Sequence, residues 1–422
     1  MREVVVDAHQ GLAVGGPAET GYVKSTLPYV PGSTLRGALA AGWIRDNGPP
    51  TRDNPRRAEF IEIFEGNVRY GPLFQEGTSL RPLSAAFCKY PADDTCRSWG
   101  LDAAIDAPTS HCPHCCGAID RGKGEITERT IHHVTRTALD ELGRAAEGKL
   151  CTRHELARGL QYRGRIAGDH PWLEGEHEVW IGGRTSTSGR ATVRTTPMTQ
   201  PPPRPSVRED GALVLRFASP VLIVDDAGRP SLDPVPELLA ALGVEGTTEG
   251  TWVRPSPVGG WHAASGLPKP IEISIAMGSV VVVRPAEAPA PDRMVALARD
   301  GIGLRRVEGF GSVEINPVPW RPAAPEPAED ATSGGSLLDP LDELGLLTDP
   351  TTVRWILDIA RQSLLDHERG VRTDWDSIST ERVAIYLSDE QFSAVQQFMD
   401  HSRLPAAITL LQFTLERMEA DS

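Results

Sequence analysis

Between Asp300 and Pro317 the chain reads Gly301-Ile-Gly303-Leu-Arg-Arg-Val-Glu-Gly309-Phe-Gly311: glycine, apolar residue, glycine, five residues, then the same triplet again. Glycines so spaced allow backbone conformations that a side chain would forbid. Arg293 to Arg299 carry helical spacing before the loop, and Gly311 to Pro317 read as a strand after it. The fold must therefore pass from helix to strand through a connection whose backbone packs closely. Tight packing alone would account for the glycines. The residues between them suggest chemistry as well. Glycine amides can face a phosphate, Arg305 and Arg306 add fork-shaped charged donors, and Phe310 offers a ring for stacking on a base. A dinucleotide fingerprint needs strand before loop and helix after it, and here the order is reversed.

Cysteine usage is the second constraint. Of six cysteines, Cys88, Cys96, Cys112, Cys115 and Cys116 fall within 29 residues, and Cys151 stands apart. Residues 84–125 hold little apolar periodicity, so this stretch needs help to hold a shape. Clustered cysteines in a large chain expected to be cytoplasmic point to metal rather than disulfides. Cys112-Pro-His-Cys115 is a C-x-x-C knuckle, and Cys88 with Cys96 completes a tetrahedral thiolate set for a structural zinc ion. Cys116, His111 and His114 are rival ligands, and Cys151 reads as a buried thiol.

The other elements follow from local pattern. Val4 to Ala8 alternates as a strand, and Ser33 or Thr34 is placed to cap the helix that follows. Residues 46–58 read as a polar loop, and Ile61 to Phe74 as strands around a turn. His177 to Val193 reads strand, glycine-rich turn, strand, and the prolines between Pro197 and Pro205 mark a boundary. Leu213 to Phe217, Pro220 to Val224 and Ile271 to Val283 read as strands, and Leu238 to Leu242 as a short helix. Residues 322–345 have linker composition. Thr352 to Arg369, Ser379 to Tyr386, Asp389 to His401 and Pro405 to Met418 have helical spacing, with a capping signal at Ser388.

Charge is unevenly shared. The formal net charge is −14, yet Pro325 to Ser422 hold 19 acidic and 7 basic residues, leaving 38 acidic against 36 basic in the rest. A near-neutral body can carry a basic groove, because phosphate binding depends on local charge. The acidic tail is expected to face solvent or a protein partner. No run approaches the roughly 18 apolar residues of a membrane span, and the expected location is cytoplasmic.

The loop 301–311 resembles the signature glycine-rich loop of the RAMP superfamily, the ferredoxin-like RNA-binding proteins of CRISPR systems. Tyr29-Val-Pro-Gly-Ser-Thr-Leu-Arg-Gly-Ala-Leu is similar to the family's first helix start, and Ile181-Gly-Gly-Arg-Thr-Ser-Thr-Ser-Gly-Arg to a second glycine-rich element. Arg136-Thr-Ala-Leu-Asp, Tyr162-Arg-Gly-Arg-Ile and Gly259-Gly-Trp261…Gly266-Leu-Pro-Lys269 resemble segments of the large RAMP subunit of type III-D effectors. Together these cover most of residues 1–320. The resemblance implies an α+β fold of two ferredoxin-like (RRM-like) RAMP domains: residues 1–200 with a zinc-binding insert at about 84–125, and residues 201–321 with the glycine-rich loop. Residues 346–422 would form an acidic helical extension beyond the linker.

It also implies a role. The chain would hold the 5′ repeat-derived handle of the guide RNA and cap the backbone of a type III effector. Its partners would be other RAMP backbone subunits and the large signalling and nuclease subunit, with target RNA met indirectly. Arg36, Arg184, Arg190, Arg305 and Arg306 are the backbone-contact candidates. Gly301, Gly303, Gly309 and Gly311 shape the loop. Phe310, Trp261 and Lys269 complete the set of RNA-binding candidates, with core packing the competing reading for Trp261.

Two enzymatic chemistries could use these residue types. A zinc deaminase needs H-x-E, and none of the eleven histidines is followed two residues later by Glu. A metal-independent endoribonuclease processing guide precursor would use histidine as acid or base. His9, His132, His133 and His262 lie near the expected RNA face, but no pair with clear roles emerges. The expectation is a binding subunit and not an enzyme.

Overall fold

The computed structural model describes residues 1–420 except 17–22, 93, 128–129, 140–144, 199–204, 263–264, 323–337, 369–372, 382 and 400–403. Residues 1–324 form one compact unit and residues 325–422 another. Most of the expected linker and of the Pro197–Pro205 boundary, and the Cys151 side chain, lie outside the described residues.

The first sheet of the larger unit grows from Arg2–Ala8. Its alternation buries Val4, Val6 and Ala8, and the strand pairs antiparallel with Gln161–Ala167 on one side and Arg190–Pro197 on the other. Gly175–Trp180 extends the sheet beyond Arg190–Pro197, while Arg69–Tyr70 and Phe74–Gln75 pair with Gln161–Ala167. Helix Gly32–Asn47 covers one face. Leu35, Leu39 and Trp43 recur every fourth residue and join Val4, Val6, Tyr162, Ile166 and Val193 in one buried core. The helix opens at Gly32 with Pro31 as cap and no side-chain capping bond, so neither Ser33 nor Thr34 takes the expected role. Val30 is tied to Leu73 by two backbone bonds, which fixes the chain's entry two residues before Ser33 and three before Thr34.

The reading of Ile61 to Phe74 as strands is corrected. Arg57–Phe64 is a helix and strand begins only at Arg69. Phe60 meets Trp43 edge-on at 5.2 Å and Phe64 meets Trp172 at 5.6 Å. Those aromatic contacts use helical spacing that a short apolar run does not distinguish from a strand.

In the second sheet Gly246–Trp252, Val280–Pro285, Leu213–Phe217 and Val313–Ile315 lie side by side, all antiparallel. With helices Val235–Leu242 and Pro291–Asp300 the order along the chain is β-α-β-β-α-β, the ferredoxin-like arrangement. The first sheet keeps the same strand order, but a single 3-10 turn at Pro171–Leu173 and the added strand Gly175–Trp180 stand where a second helix would lie. Leu213, Leu215, Phe217, Val281 and Val283 pack on Leu238, Met294 and Leu297. The opposite face, Val214, Val280 and Val282, is covered by Ala104 and Ile105 of the cysteine-rich insert. Burial on both faces explains the unbroken Val280-Val-Val-Val run. The expected single strand over Ile271 to Val283 is two, Glu272–Ile275 and Val280–Pro285, broken at Gly278 with φ +78°. Pro220 to Val224 contributes only the short strand Ile223–Val224.

The smaller unit is helical. Pro350–Glu368, Asp389–Met399 and Leu404–Ala420 enclose Val353, Ile356, Ala360, Val395, Phe398 and Leu411. Ser388 makes the expected capping box: its Oγ accepts from the Gln391 amide at 3.1 Å, and the Gln391 side chain accepts from the Ser388 amide at 3.0 Å. The expected helix at Ser379 to Tyr386 is replaced by a helical turn at Trp375–Ile378 and a 3-10 turn at Ala384–Tyr386. Asp374 accepts from the Ser377 amide at 3.2 Å and starts that turn earlier. Among the described residues no helix is long and apolar enough to cross a membrane.

Two glycines in one helix should respond oppositely to a methyl group. At exposed Gly37 an added Cβ meets nothing, so Gly37→Ala should raise stability by about 0.5–1 kcal/mol. At Gly32 it would collide with the Tyr70 carbonyl, so Gly32→Ala should lower stability by about 2 kcal/mol or more. Urea unfolding of the full chain measures both.

Candidate nucleic-acid interface and metal centre

The loop 301–311 leaves helix Pro291–Asp300 and enters strand Val313–Ile315, as its sequence implies. All four glycines have positive φ, from +65° at Gly301 to +86° at Gly309. Their role is packing. A Cβ at Gly301 would meet the Gly311 carbonyl, one at Gly311 the Ile302 carbonyl, and one at Gly309 the Tyr70 carbonyl and Gly32 Cα. The expectation that their amides face a phosphate is corrected. Gly301 N–H donates to Leu297 O (2.9 Å), Gly303 to Glu237 Oε1 (2.7 Å), Gly309 to Arg306 O (3.0 Å) and Gly311 to Pro220 O (2.9 Å). Those donors are already bonded within the protein.

The two loop arginines have separate environments. Arg305, itself at φ +56°, lies over the Phe310 ring at 4.7 Å and pairs with Glu308 (2.8 Å) and Glu272. Lys269 reaches the same Glu308 at 2.6 Å. Burial works against the Glu308 charge, but these two cations outweigh it and hold its carboxyl at about 2. Arg306 is exposed and makes no ion pair among the described residues. It lines a cleft of about 220 Å³ with Arg69, Tyr70, Arg299, Asp300 and Phe310. Neither Arg69 nor Arg299 belongs to a recognisable motif; Arg299 directly precedes the loop in sequence, whereas only the folded chain brings Arg69 to it.

The remaining candidates divide similarly. Arg36 is held within the first sheet's layer, donating to the Phe64 carbonyl and to Glu65, each at 2.6 Å. Arg190 pairs with Glu178. Arg184 is exposed at φ +60° in the Ile181–Gly189 turn, which Gly182 seats against the Ala13 carbonyl. Trp261 is 63% exposed on a short hairpin with Leu267–Pro268, so core packing does not hold it. His9 bonds Thr192 at 2.8 Å, His262 bonds Ser265 at 2.8 Å, and His133 stacks on His154 at 4.3 Å. These histidines sit on different elements.

Three short strands, Ala85–Cys88, Gly100–Asp102 and Ile119–Arg121, carry the cysteine cluster. Cys88 ends the first, Cys96 lies in the turn of helix Asp94–Ser98, and Cys112 and Cys115 form the knuckle. Cys88 Sγ and Cys115 Sγ are 3.6 Å apart, Cys96 Sγ and Cys112 Sγ 3.9 Å, and all four sulfurs lie within 4.8 Å of one another. A tetrahedral ion with sulfur ligands at about 2.3 Å would space them by about 3.8 Å. The Cys116 amide closes on the Cys112 carbonyl at 2.9 Å, and the Gly117 amide donates to Cys115 Sγ at 3.4 Å. Burial pushes the Cys112 thiol up, but the Cys115 and His114 amides outweigh it and bring it to about 7. Cys116, at φ +56°, is exposed, as are His111 and His114. The four buried or half-buried thiols can hold a metal ion, and the three rivals stand outside the set.

No protein-family model and no curated protein matches the sequence. Among solved structures, the chain is similar to one in a type III-B Cmr-beta complex bound to cognate target RNA and AMPPnP. Identity is 15% over 66% of this chain and 86% of that one, with a TM-score of 0.41. It is similar to a chain of the Csm3–Csm4 subcomplex of the type III-A CRISPR-Cas interference complex, at 12% identity over 69% and 99%, TM-score 0.32. A Cas6 product complex gives 14% identity over 75% and 100%, TM-score 0.29.

Within the cluster, ligand and rival cysteines should separate cleanly. Cys112→Ser should abolish metal retention and lower the melting temperature by roughly 5 °C or more, while Cys116→Ser should leave both unchanged. Elemental analysis with thermal denaturation of the full chain checks this.

Proposed function

We propose that this chain is a RAMP-type, guide-RNA-binding subunit of a type III CRISPR effector, holding the 5′ repeat-derived handle and capping the backbone beside the large subunit. The observation that carries this reading is the meeting of two segments on which the family resemblance rests. Gly309, in the glycine-rich loop, packs directly on Gly32, at the start of the Tyr29–Leu39 motif, although 277 positions separate them in sequence. Random glycine-rich loops have no reason to converge on that helix start. Beside this junction the exposed Arg306 supplies charge for phosphates, and elsewhere on the unit Arg184 and the ring of Trp261 are exposed, the latter a face for bases.

Four thiolates at these separations suit zinc, which would neutralise them and fix the insert's loops. The cysteines would hold it and take no part in chemistry on RNA. We read the chain as binding without cutting: the stacked pair His133 and His154 lies on the strand pair Ile131–Leu139 and Ala145–Leu156, and among the described residues no histidine lines the cleft beside the junction. The acidic helical unit suits a protein neighbour better than RNA.

Purified protein incubated with labelled precursor and mature guide RNA, with and without the 5′ tag and without added divalent metal, tests this. Paired native and denaturing gels should show tag-dependent retention of intact RNA. Retention indifferent to the tag would refute the handle assignment. A discrete cut would replace it with an endoribonuclease.

A further inference from the structure

We propose that the cleft between the glycine-rich loop and strand Arg69–Tyr70 is a phosphate subsite, in which Arg69, Arg299 and Arg306 together take one phosphodiester of the RNA backbone. This deepens, and rests on, the RNA-binding reading above. The argument is one of charge balance on the two sides of a single loop. On one side Arg305 and Lys269 face Glu308 and Glu272, two cations against two anions. On the other, Arg69, Arg299 and Arg306 line one cleft whose single carboxylate, Asp300, is already bound by Arg299 through bonds of 2.9 and 2.7 Å. That side keeps an excess of two positive charges in about 220 Å³.

Arg69 is the clearest sign of an incomplete site. It is half-buried, its Nη1 leans on the Gly66 carbonyl at 3.1 Å, and its buried Nε has no partner. Burial first, then the charge of Arg306 and, less, that of Arg299, bring its pKa below the ordinary arginine value against the opposing charge of Asp300. Like charges at short range in a partly buried cleft repel, and an unpaired buried N–H is costly. A bound oxyanion removes both penalties at once, since its oxygens accept from several guanidinium forks. The floor of the cleft, Tyr70 and Gly309, is the rigid junction of the two sheets, so the donors are held by the fold rather than by a loose loop. Backbone phosphate is the matching chemistry because the cleft offers charge and forks for an oxyanion.

The cleanest variant is Arg306→Gln, because Arg306 has no partner to orphan. Arg299→Gln is the second, and Arg229→Gln, an exposed arginine paired with Asp225, is the control for loss of surface charge. Affinity for tagged guide RNA is measured by fluorescence anisotropy across a salt series, with the apo melting temperature recorded for each variant. Arg306→Gln should weaken binding about tenfold near 0.15 M salt and reduce the salt slope by about 0.7, whatever the bases of the handle. Its apo melting temperature should hold or rise, since a repelling charge is removed, whereas a merely structural arginine would lower it. Arg299→Gln should reproduce the slope change and Arg229→Gln should not. Wild-type affinity and slope in both cleft variants would overturn the subsite while leaving the RNA-binding reading intact. A wild-type chain that retains no RNA at low salt would overturn both.

Discussion

At Gly32, Gly309 and Tyr70 three stretches of backbone meet with no side chain between them, and the arrangement of residues 1–324 turns on that contact. Gly32 opens the helix that covers the first sheet, Tyr70 belongs to the edge of that sheet, and Gly309 lies in the loop that closes the second. A methyl group on either glycine would strike the Tyr70 carbonyl. Close approach of this kind is specific in a way that apolar packing is not, because it tolerates no repacking. It also explains why the loop needs positive φ at five positions, four of them glycine. The chain must leave one helix, touch a second element with bare backbone, and return to its own sheet within eleven residues.

The same junction decides which charges are available. Adjacent arginines in a turn point apart, and here the left-handed conformation of Arg305 directs it to Glu308, Glu272 and the Phe310 ring. Arg306 is left toward Arg69 and Arg299. One arginine thus braces the loop and its neighbour supplies unneutralised charge. A chain with net charge −14 can in this way present a local cationic site without a basic composition.

Much of this was legible in the residues. Alternation in Leu213 to Phe217, helical spacing in Arg293 to Arg299, the strand–turn–strand around Ile181 and the capping signal at Ser388 each rest on a local rule that the fold obeys. The C-x-x-C knuckle was legible for the same reason, since its spacing is its geometry. What failed depended on distant neighbours. Phe60 and Phe64 could serve helix or strand until Trp43 and Trp172 chose, and the expected strand Ile271 to Val283 is broken at Gly278, where Gly124 comes up against it. The amides of Gly303 and Gly311 looked free because their acceptors, Glu237 and Pro220, come from distant parts of the sequence. Arg69 carried no signal at all: its meaning lies in two arginines more than 200 residues away.

The cysteine-rich insert extends this dependence across the unit. In sequence it interrupts the first half, but its contacts are with the second sheet. Ala104 and Ile105 cover Val214, Val280 and Val282, the Leu83 amide donates to the Gly278 carbonyl at 2.8 Å, and Asp102 accepts from the Trp320 amide at 3.3 Å. Arg81 lies between the Phe87 and Trp320 rings, 4.5 and 5.3 Å from their centroids. A sheet apolar on both faces needs a second layer, and this layer has too few apolar side chains to hold itself together. Its shape therefore depends on the four clustered thiols, and through it so does the outer face of the sheet that carries the glycine-rich loop. A structural ion there would act on the cationic cleft at a distance, by keeping the loop's own sheet closed on both sides.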